Sequence, residues 1–307
     1  MHKRMVNQAI IELTISPIGP LLIKASDQGA DPTKPDMEFV ETYHEGDRSV
    51  YLPGSSLKGA IRAHCERIVR TLGGNVTACD PLKTTSSCRN LDEENGATLY
   101  KNTCTVCQIF GSTDISAHAR IADAYPINPK DIRREERNGV AIDRVYGSVA
   151  HGPFNFEVIT AGAFKTTIRV KNFTTVQLAL IALAIRDFDE QRVGIGFAKS
   201  RGLGQVNMKV NRVAIHYPTA VVEDNQVRPI GNQTDPFSDN AVIGAGQLVN
   251  DAEVYGFPNP DSINVNVRAQ PDDYGFGATL SFEESNDITA LWRECVGSWR
   301  NMIEGEQ

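Results

Sequence analysis

No apolar run in this 307-residue chain is long enough to span a bilayer, and the opening stretch MHKRMVNQAIIELTI is too polar for a secretory signal. These absences predict an intracellular, cytoplasmic protein with no membrane partner. There is no Ser-His-Asp pattern, no GxxxxGKS/T loop and no HExxH, so the usual signatures of a serine hydrolase, a P-loop nucleotidase and a zincin protease are missing. The aromatic RNP motifs of an ordinary RNA-recognition domain are absent as well. What remains, 41% hydrophobic and 22% charged, is an ordinary soluble composition. The length suffices for one large domain, or for one domain with an extension.

Positive charge is scarce overall: the net charge is −7, which at first argues against a nucleic-acid partner. Its distribution reverses that reading. Residues 221–307 hold 15 acidic and 4 basic residues, whereas residues 1–220 hold 27 basic and 23 acidic ones. A mildly basic body carries an acidic extension, and the bulk charge hides a candidate basic surface.

Cysteine is sparse but clustered. Cys79, Cys88, Cys104 and Cys107 fall within 29 residues, while Cys65 and Cys295 stand apart. In an intracellular protein such a cluster points to metal before disulfide. The two-residue gap between Cys104 and Cys107 is a zinc-knuckle spacing, and four thiolates would close a tetrahedral structural zinc site that cannot activate water. His64, His118 or His151 is an alternative for one of the ligands. Free thiols are the competing reading. Cys65 lies on an apolar helical stripe and reads as packing.

The periodicities give an order of elements. Residues 8–25 read as a strand, alternating at Ile11, Leu13 and Ile15 and broken at Pro17 and Pro20. Residues 26–50 read as a long polar loop holding Asp27, Asp31, Asp36 and Asp47. A helix follows, with Ser55 or Ser56 as its N-cap, a stripe at Leu57, Ile61, Cys65, Ile68 and Leu72, and a stop at Gly73 and Gly74. Residues 75–119 read as an irregular insertion, 120–126 as a short strand, and 132–139 (IRREERNG) as a charged exposed segment. β structure is expected from Asn155 to Val170, with Phe164, Thr166, Ile168 and Val170 on one face. Thr174 then caps an amphipathic helix. A final strand alternates at Val206, Met208 and Val210 and resumes at Val213, Ile215 and Tyr217 in a shifted register.

This is an α+β order, strand–helix–strands–helix–strand. It predicts a ferredoxin-like (RNA-recognition-like) βαββαβ core over residues 1–220, with insertions at about 26–50, 75–119 and 130–156. Residues 221–307 form an acidic C-terminal extension ending in an amphipathic helix whose stripe is Ile288, Leu291, Trp292, Cys295, Trp299 and Met302.

Two stretches suit phosphate. The helix at Ser55 and Ser56 presents main-chain N–H groups, with Lys58 and Arg62 a turn or two on. The loop VGIGFAKSRGLGQV (193–206) brackets Lys199 and Arg201 with Gly194, Gly196, Gly202 and Gly204, and such a loop lets a phosphate chain approach the backbone. A plain helix-to-strand turn is the competing reading of that loop.

PGSSLKGAIR (53–62), CTVCQIFG (104–111) followed by ARIADAYP, RNGVAIDRVYGSVAHGPFNFEVI (137–159) and GIGFAKSRGLG (194–204) occur in an order that resembles the RAMP superfamily of CRISPR-associated proteins. More narrowly, the chain resembles backbone subunits of type III effector complexes over roughly residues 8–217. The resemblance implies a subunit that stacks with others along a CRISPR guide RNA and kinks it with a thumb spanning Arg137 to Phe156. Arg137 and Arg144 would then join Ser55, Ser56, Lys58, Arg62, Lys199, Arg201 and Gly202 as RNA contacts. Some members cleave the target RNA paired with the guide, using one loop aspartate and a divalent ion such as magnesium. Here that aspartate aligns with Asp36, or alternatively Asp31, although the glycine pair that usually precedes it is missing. A non-catalytic, zinc-stabilised scaffold subunit and a solitary guide-processing endonuclease are the other readings.

Overall fold

The computed structural model describes residues 3–25, 35–72, 77–83, 87–89, 91, 93, 95–231 and 235–305. Its main elements are β1 (Gln8–Pro17), α1 (Gly54–Leu72), β2 (Ala119–Ile121), β3 (Arg133–Ile142), β4 (Val149–Ala161), β5 (Phe164–Lys171), α2 (Thr175–Asp189), β6 (Val206–Tyr217), β7 (Ala278–Phe282) and α3 (Ser285–Gly305). Shorter elements are named by residue. No helix among the described residues is long and apolar enough to cross a membrane.

Period-two alternation builds the sheet. β1 buries Ala9, Ile11, Leu13 and Ile15, and β5 buries Phe164, Thr166, Ile168 and Val170. β1 lies between β5 and β6 in a mixed-architecture fold whose main sheet is wholly antiparallel. The sheet runs Gln270–Pro271, β7, β6, β1, β5, β2, with Tyr125–Pro126 also paired to β5. The register slip expected between Val210 and Val213 is a bulge: Leu13 pairs with Val210 and Glu12 with Arg212, so Asn211 is the extra residue. Its side chain donates to Thr14 Oγ1 at 2.7 Å.

The helices pack largely through the stripes their spacing predicts, but in α1 Val69 is buried while Leu72, expected on the stripe, is 47% exposed and Ile68 is only half-buried. Leu57, Ile61, Cys65 and Val69 of α1 are buried, and Cys65 Sγ lies 3.8 Å from the Leu180 carbonyl of α2. His64 Nε2 and Asp187 Oδ2 sit 2.7 Å apart across the same contact. Thr174 caps α2 in a reciprocal capping box with Gln177. The acidic C-terminal region adds β7 to the sheet beside β6 and lays α3 against α2, burying Ile288, Leu291, Cys295 and Trp299.

Four local expectations are corrected. First, neither Ser55 nor Ser56 caps α1: both lie inside its first turn, and the Gly54 N–H donates to Asp123 Oδ1 at 2.7 Å instead. Gly54 is needed because a Cβ there would sit 2.3 Å from the Ile121 carbonyl oxygen. Second, the supposed loop 26–50 contains a hairpin, Glu41–His44 with Asp47–Val50, turning on Glu45 (φ 52°) and Gly46 (φ 92°). Third, IRREERNG is charged and exposed as expected but is not a segment on its own: Arg133–Gly139 form the first part of β3, whose backbone pairs with β4. Fourth, the cysteine insertion carries two short helices, Gly96–Asn102 and Thr105–Phe110.

Candidate nucleic-acid interface and metal centre

The backbone of Pro20–Ala25 joins three candidate elements. The Gly204 N–H donates to the Pro20 carbonyl and the Phe197 N–H to the Leu22 carbonyl, at 2.9 and 2.8 Å, which holds the glycine loop. Leu21 and Ile159 exchange two hydrogen bonds of 2.8 Å, which anchors β4 of the long hairpin. The Val40 N–H donates to the Ile23 carbonyl and the Ala25 N–H to the Glu38 carbonyl, which holds the stretch after Asp36.

The glycines of the loop do a different job from the one expected. A Cβ on Gly204 would sit 2.1 Å from the Ile195 carbonyl oxygen, on Gly196 2.3 Å from that of Leu22, and on Gly194 2.9 Å from that of Gly204. These three serve close packing of the chain on itself. Gly202, at φ 83°, faces open space. Beside it Lys199 and Arg201 form an exposed 3-10 turn, with the Arg201 guanidinium 5.3 Å from the centre of the Phe197 ring. Phe197 escaped the sequence reading, since nothing in periodicity marks a loop aromatic as exposed.

Asp36 is exposed, and its Oδ2 accepts the Asn155 backbone N–H at 2.9 Å. Met37 bridges to Phe156, the Glu157 N–H donates to the Met37 carbonyl, and Glu157 Oε2 in turn accepts the Phe39 N–H. Asp36 therefore lies beside the middle of β4, where Asn155 faces Asn138 of β3. Arg134, at the base of the hairpin opposite Ile159, pairs with Glu41 and Glu157. Asp31 lies outside the described residues. Asp47 is in the strand after the Glu45–Gly46 turn, away from these contacts.

The hairpin β3–β4 projects residues of both kinds. Arg137 pairs with Glu135 at 3.3 Å, and Arg144 is exposed in the turn. Ile142, Val145, Tyr146 and Val149 are exposed at the tip, with Val145 at 80% and Tyr146 at 85%. The sequence reading passed over this apolar tip, because its residues satisfy strand propensity equally well.

At the start of α1 the picture is mixed. Lys58 is half-buried, and its pKa is lowered by burial and by the nearby Arg62 and Arg120 charges. Arg62 turns away from the helix start: Nε donates to Glu66 Oε1 (3.1 Å), Nη1 to the Gly111 carbonyl (3.0 Å) and Nη2 to Cys107 Sγ (3.2 Å). The carboxylate of Asp123 accepts the first N–H of the helix, that of Gly54.

Folding brings the four clustered cysteines together. One Sγ from each of Cys79, Cys88, Cys104 and Cys107 lies within 4.8 Å of the others, the one such group of three or more metal-type ligands among the described residues. Cys79 and Cys107 Sγ are 3.6 Å apart. Tetrahedral zinc with bonds of about 2.3 Å needs sulfur–sulfur edges of about 3.8 Å, so the residues fit such an ion. His118 instead directs Nδ1 to the carbonyls of Lys171 and Asn172, and His64 is paired with Asp187. The helix Thr105–Phe110 begins at Cys104, whose Sγ accepts the Cys107 N–H, while Cys88 Sγ accepts the Cys104 N–H. A hydrogen bond from the Cys107 side chain lowers the Cys104 thiol to about 5, Cys107 is correspondingly pushed up, and burial raises Cys88 to about 12.

No curated protein matches this chain. A family model does, from residue 14 to residue 207, which takes in the end of β1, α1, the cysteine cluster, the long hairpin, α2 and the glycine loop. That match covers more than half of the chain, and with it the protein belongs to the RAMP superfamily, a CRISPR-associated family with a general role in RNA binding.

Proposed function

We propose that this protein is a guide-RNA-binding backbone subunit of a type III CRISPR effector complex, working beside other subunits and acting as a metal-dependent endoribonuclease on target RNA paired with the guide. One observation carries this reading: the backbone of Pro20–Ala25 ties the glycine loop, the base of the hairpin and the stretch after Asp36 to one another. A cation-bearing turn, a projecting hairpin and a carboxylate thus share one support. The strand order β6-β1-β5-β2, with α1 and α2 between successive strands, is the fourth-first-third-second order of a ferredoxin-like sheet and supports that core.

RNA backbone contacts are assigned to Lys199, Arg201 and Gly202 on the exposed turn, to Lys58 with Ser55 and Ser56 at the start of α1, and to Arg137 and Arg144 on the hairpin. The hairpin is the thumb of this reading. Its apolar tip suits contact with unstacked bases. Arg62, although part of the same basic helix, serves the cysteine cluster. Zinc at Cys79, Cys88, Cys104 and Cys107 would be structural, ordering an insertion with little core of its own.

For cleavage, the 2′-hydroxyl of the target attacks the adjacent phosphorus and gives its proton to solvent; the bond to the 5′-oxygen of the next nucleotide breaks, that oxygen takes a proton from solvent, and a 2′,3′-cyclic phosphate remains. The thumb's part is to kink the strand so that attacking and leaving oxygens fall in line. A magnesium ion would supply Lewis-acid stabilisation of the phosphate charge. Asp36 is the one residue assigned to hold it, with water and RNA oxygens as the remaining hard ligands. The bond from Asn155 N–H to Asp36 favours a second reading, in which Asp36 only braces the thumb and the subunit is a non-catalytic scaffold.

Purification of the chain from its host complex, followed by sequencing of bound RNA, tests the assignment. Guide RNAs of constant repeat and varied spacer are expected. Absence of RNA, or recovery of unrelated transcripts alone, rejects it.

A further inference from the structure

One face of α1 carries Arg62, Glu66 and Arg70 at four-residue intervals. Glu66 accepts from Arg62 through Oε1 at 3.1 Å and from Arg70 through Oε2 at 3.2 Å, and its side chain is only 12% exposed. The two arginines then reach two different segments of the cysteine cluster. Arg62 Nη2 donates to Cys107 Sγ at 3.2 Å, and Arg70 Nη2 donates to the Cys79 carbonyl at 2.7 Å. Arg62 Nη1 also holds the Gly111 carbonyl at 3.0 Å. Gly111 sits at φ 85°, and a Cβ there would lie 2.9 Å from Ala117 N, so this carbonyl is fixed by a turn only glycine permits.

We propose that Arg62, braced by Glu66 and Arg70, is a positioning residue of the cysteine metal centre: it supplies the positive charge that offsets the thiolates and fixes Cys107 against Cys79. The inference rests on the metal reading given above and deepens it.

Four thiolates around a divalent cation carry a net charge of −2. Donors to sulfur stabilise that excess and set the orientation of each ligand. Two are main-chain amides, Cys104 N–H to Cys88 Sγ and Cys107 N–H to Cys104 Sγ. Arg62 adds a full charge and a directed N–H to Cys107. A helix is the right support for this task. Cys79 and Cys107 are 28 residues apart in a segment with few long elements, and the rigid turns of α1 reach both. The arrangement also explains why Arg62 faces the cluster and Arg67, on the same helix, is exposed.

The test uses the full chain as wild type, Arg62→Gln, Arg62→Lys and, as a control that removes a charge from the same helix, Arg67→Gln. Zinc is titrated against a coloured chelator, and Co2+ is substituted for optical spectroscopy. For Arg62→Gln we expect zinc affinity to fall by about 10- to 100-fold, the size of effect that outer-shell partners have. Its thiolate-to-cobalt charge-transfer band should move to longer wavelength, because the sulfur lone pair has lost a donor. Arg62→Lys should fall between, and Arg67→Gln should match wild type. Affinity within about twofold of wild type, with the band unmoved, overturns the inference while leaving the metal reading standing; so does an equal loss in Arg67→Gln. A wild type that retains no zinc and gives no tetrathiolate cobalt spectrum overturns both. Circular dichroism of each variant separates loss of metal from loss of fold, and a folded Arg62→Lys keeps the comparison decisive if Arg62→Gln does not fold.

Discussion

Asp36 Oδ2 accepts the backbone N–H of Asn155 at 2.9 Å, and that bond joins the candidate catalytic loop to β4 of the thumb. The carboxylate thus has two candidate roles, one through its charge and one through its acceptor oxygen. Asp36→Asn separates them, since an amide oxygen still accepts from Asn155. In the assembled complex, Asp36→Asn is expected to abolish metal-dependent cleavage of guide-paired RNA with assembly, RNA binding and melting temperature unchanged. Asp36→Ala should in addition lose about 1 kcal/mol of stability. Cleavage by Asp36→Asn at the wild-type rate moves the assignment to Asp31. Cutting that survives substitution of both Asp36 and Asp31, or a wild-type complex that never cuts at this subunit's position, leaves the scaffold reading.

Neutralising Lys199 or Arg201 should weaken binding to unrelated guide sequences by similar factors, because an exposed turn beside Gly202 meets phosphate rather than base edges. Each lost phosphate contact should flatten the logarithmic salt dependence by about 0.7 for single-stranded RNA. Filter binding over a salt series measures this, and a loss confined to one guide sequence contradicts it.

The glycines of the same loop should divide by packing. Gly204→Ala and Gly196→Ala force a methyl against carbonyl oxygens of Ile195 and Leu22 at positive φ, and should cost about 2–4 kcal/mol in denaturant unfolding. Gly202→Ala has open space and only its φ of 83° to contend with, so about 1 kcal/mol is expected. Equal losses at all three positions would refute the division.

Elemental analysis should give one zinc per chain. The double substitution Cys104→Ser with Cys107→Ser should abolish it and lower the melting temperature, as should chelation of the wild type. A full zinc complement in the double variant would reject these ligands.

Asp261 is fully buried and accepts from Thr175 N–H, Thr175 Oγ1 and Gly246 N–H, each at 2.8 Å. Burial raises its carboxyl from 3.8 to about 6. The folded state therefore holds a proton that the unfolded chain releases, and the contribution to stability is present below about pH 4 and lost as pH rises through about 6. A shift of this size corresponds to roughly 2–3 kcal/mol. Denaturant melts at pH 4 and pH 7 should show the wild type losing stability relative to Asp261→Asn across that window. Parallel pH profiles of the two proteins would count against it.

Much of the fold was legible in local patterns. Alternation marks β1, β5 and β6, down to the slip that became the bulge at Asn211, and period-four stripes with the Thr174 cap mark α1 and α2. These signals survive because each element's pairing and buried face are written in its own few residues. The hairpin at Glu41–Val50 was not legible: its strands are polar, four residues long and half-exposed, so their cue is a Glu45–Gly46 turn that any loop might contain. The cap of α1 was misread for a related reason. Asp123, which accepts the Gly54 N–H, lies 69 residues away, and serines in the right place for a local cap hid a partner that stands just after β2.

The spacing of Cys79, Cys88, Cys104 and Cys107 was enough to propose one metal site, because ligand chemistry limits what a cluster of thiols in a short segment does. Where Arg62 points could not be read in the same way. A cation on an amphipathic helix is equally at home against phosphate, solvent or sulfur, and only the docking of α1 against the cysteine segment turned it to Cys107. The glycines between 194 and 204 told a similar story: local sequence required backbone freedom, but whether that freedom admitted a ligand or the chain's own carbonyls depended on Pro20–Leu22, brought there from more than 170 residues away by the pairing of β1 with β6. Local periodicity is a property of neighbours along the chain, whereas the partner of a charge or of a bare backbone is set by which elements pack together, and that is decided only when the sheet closes.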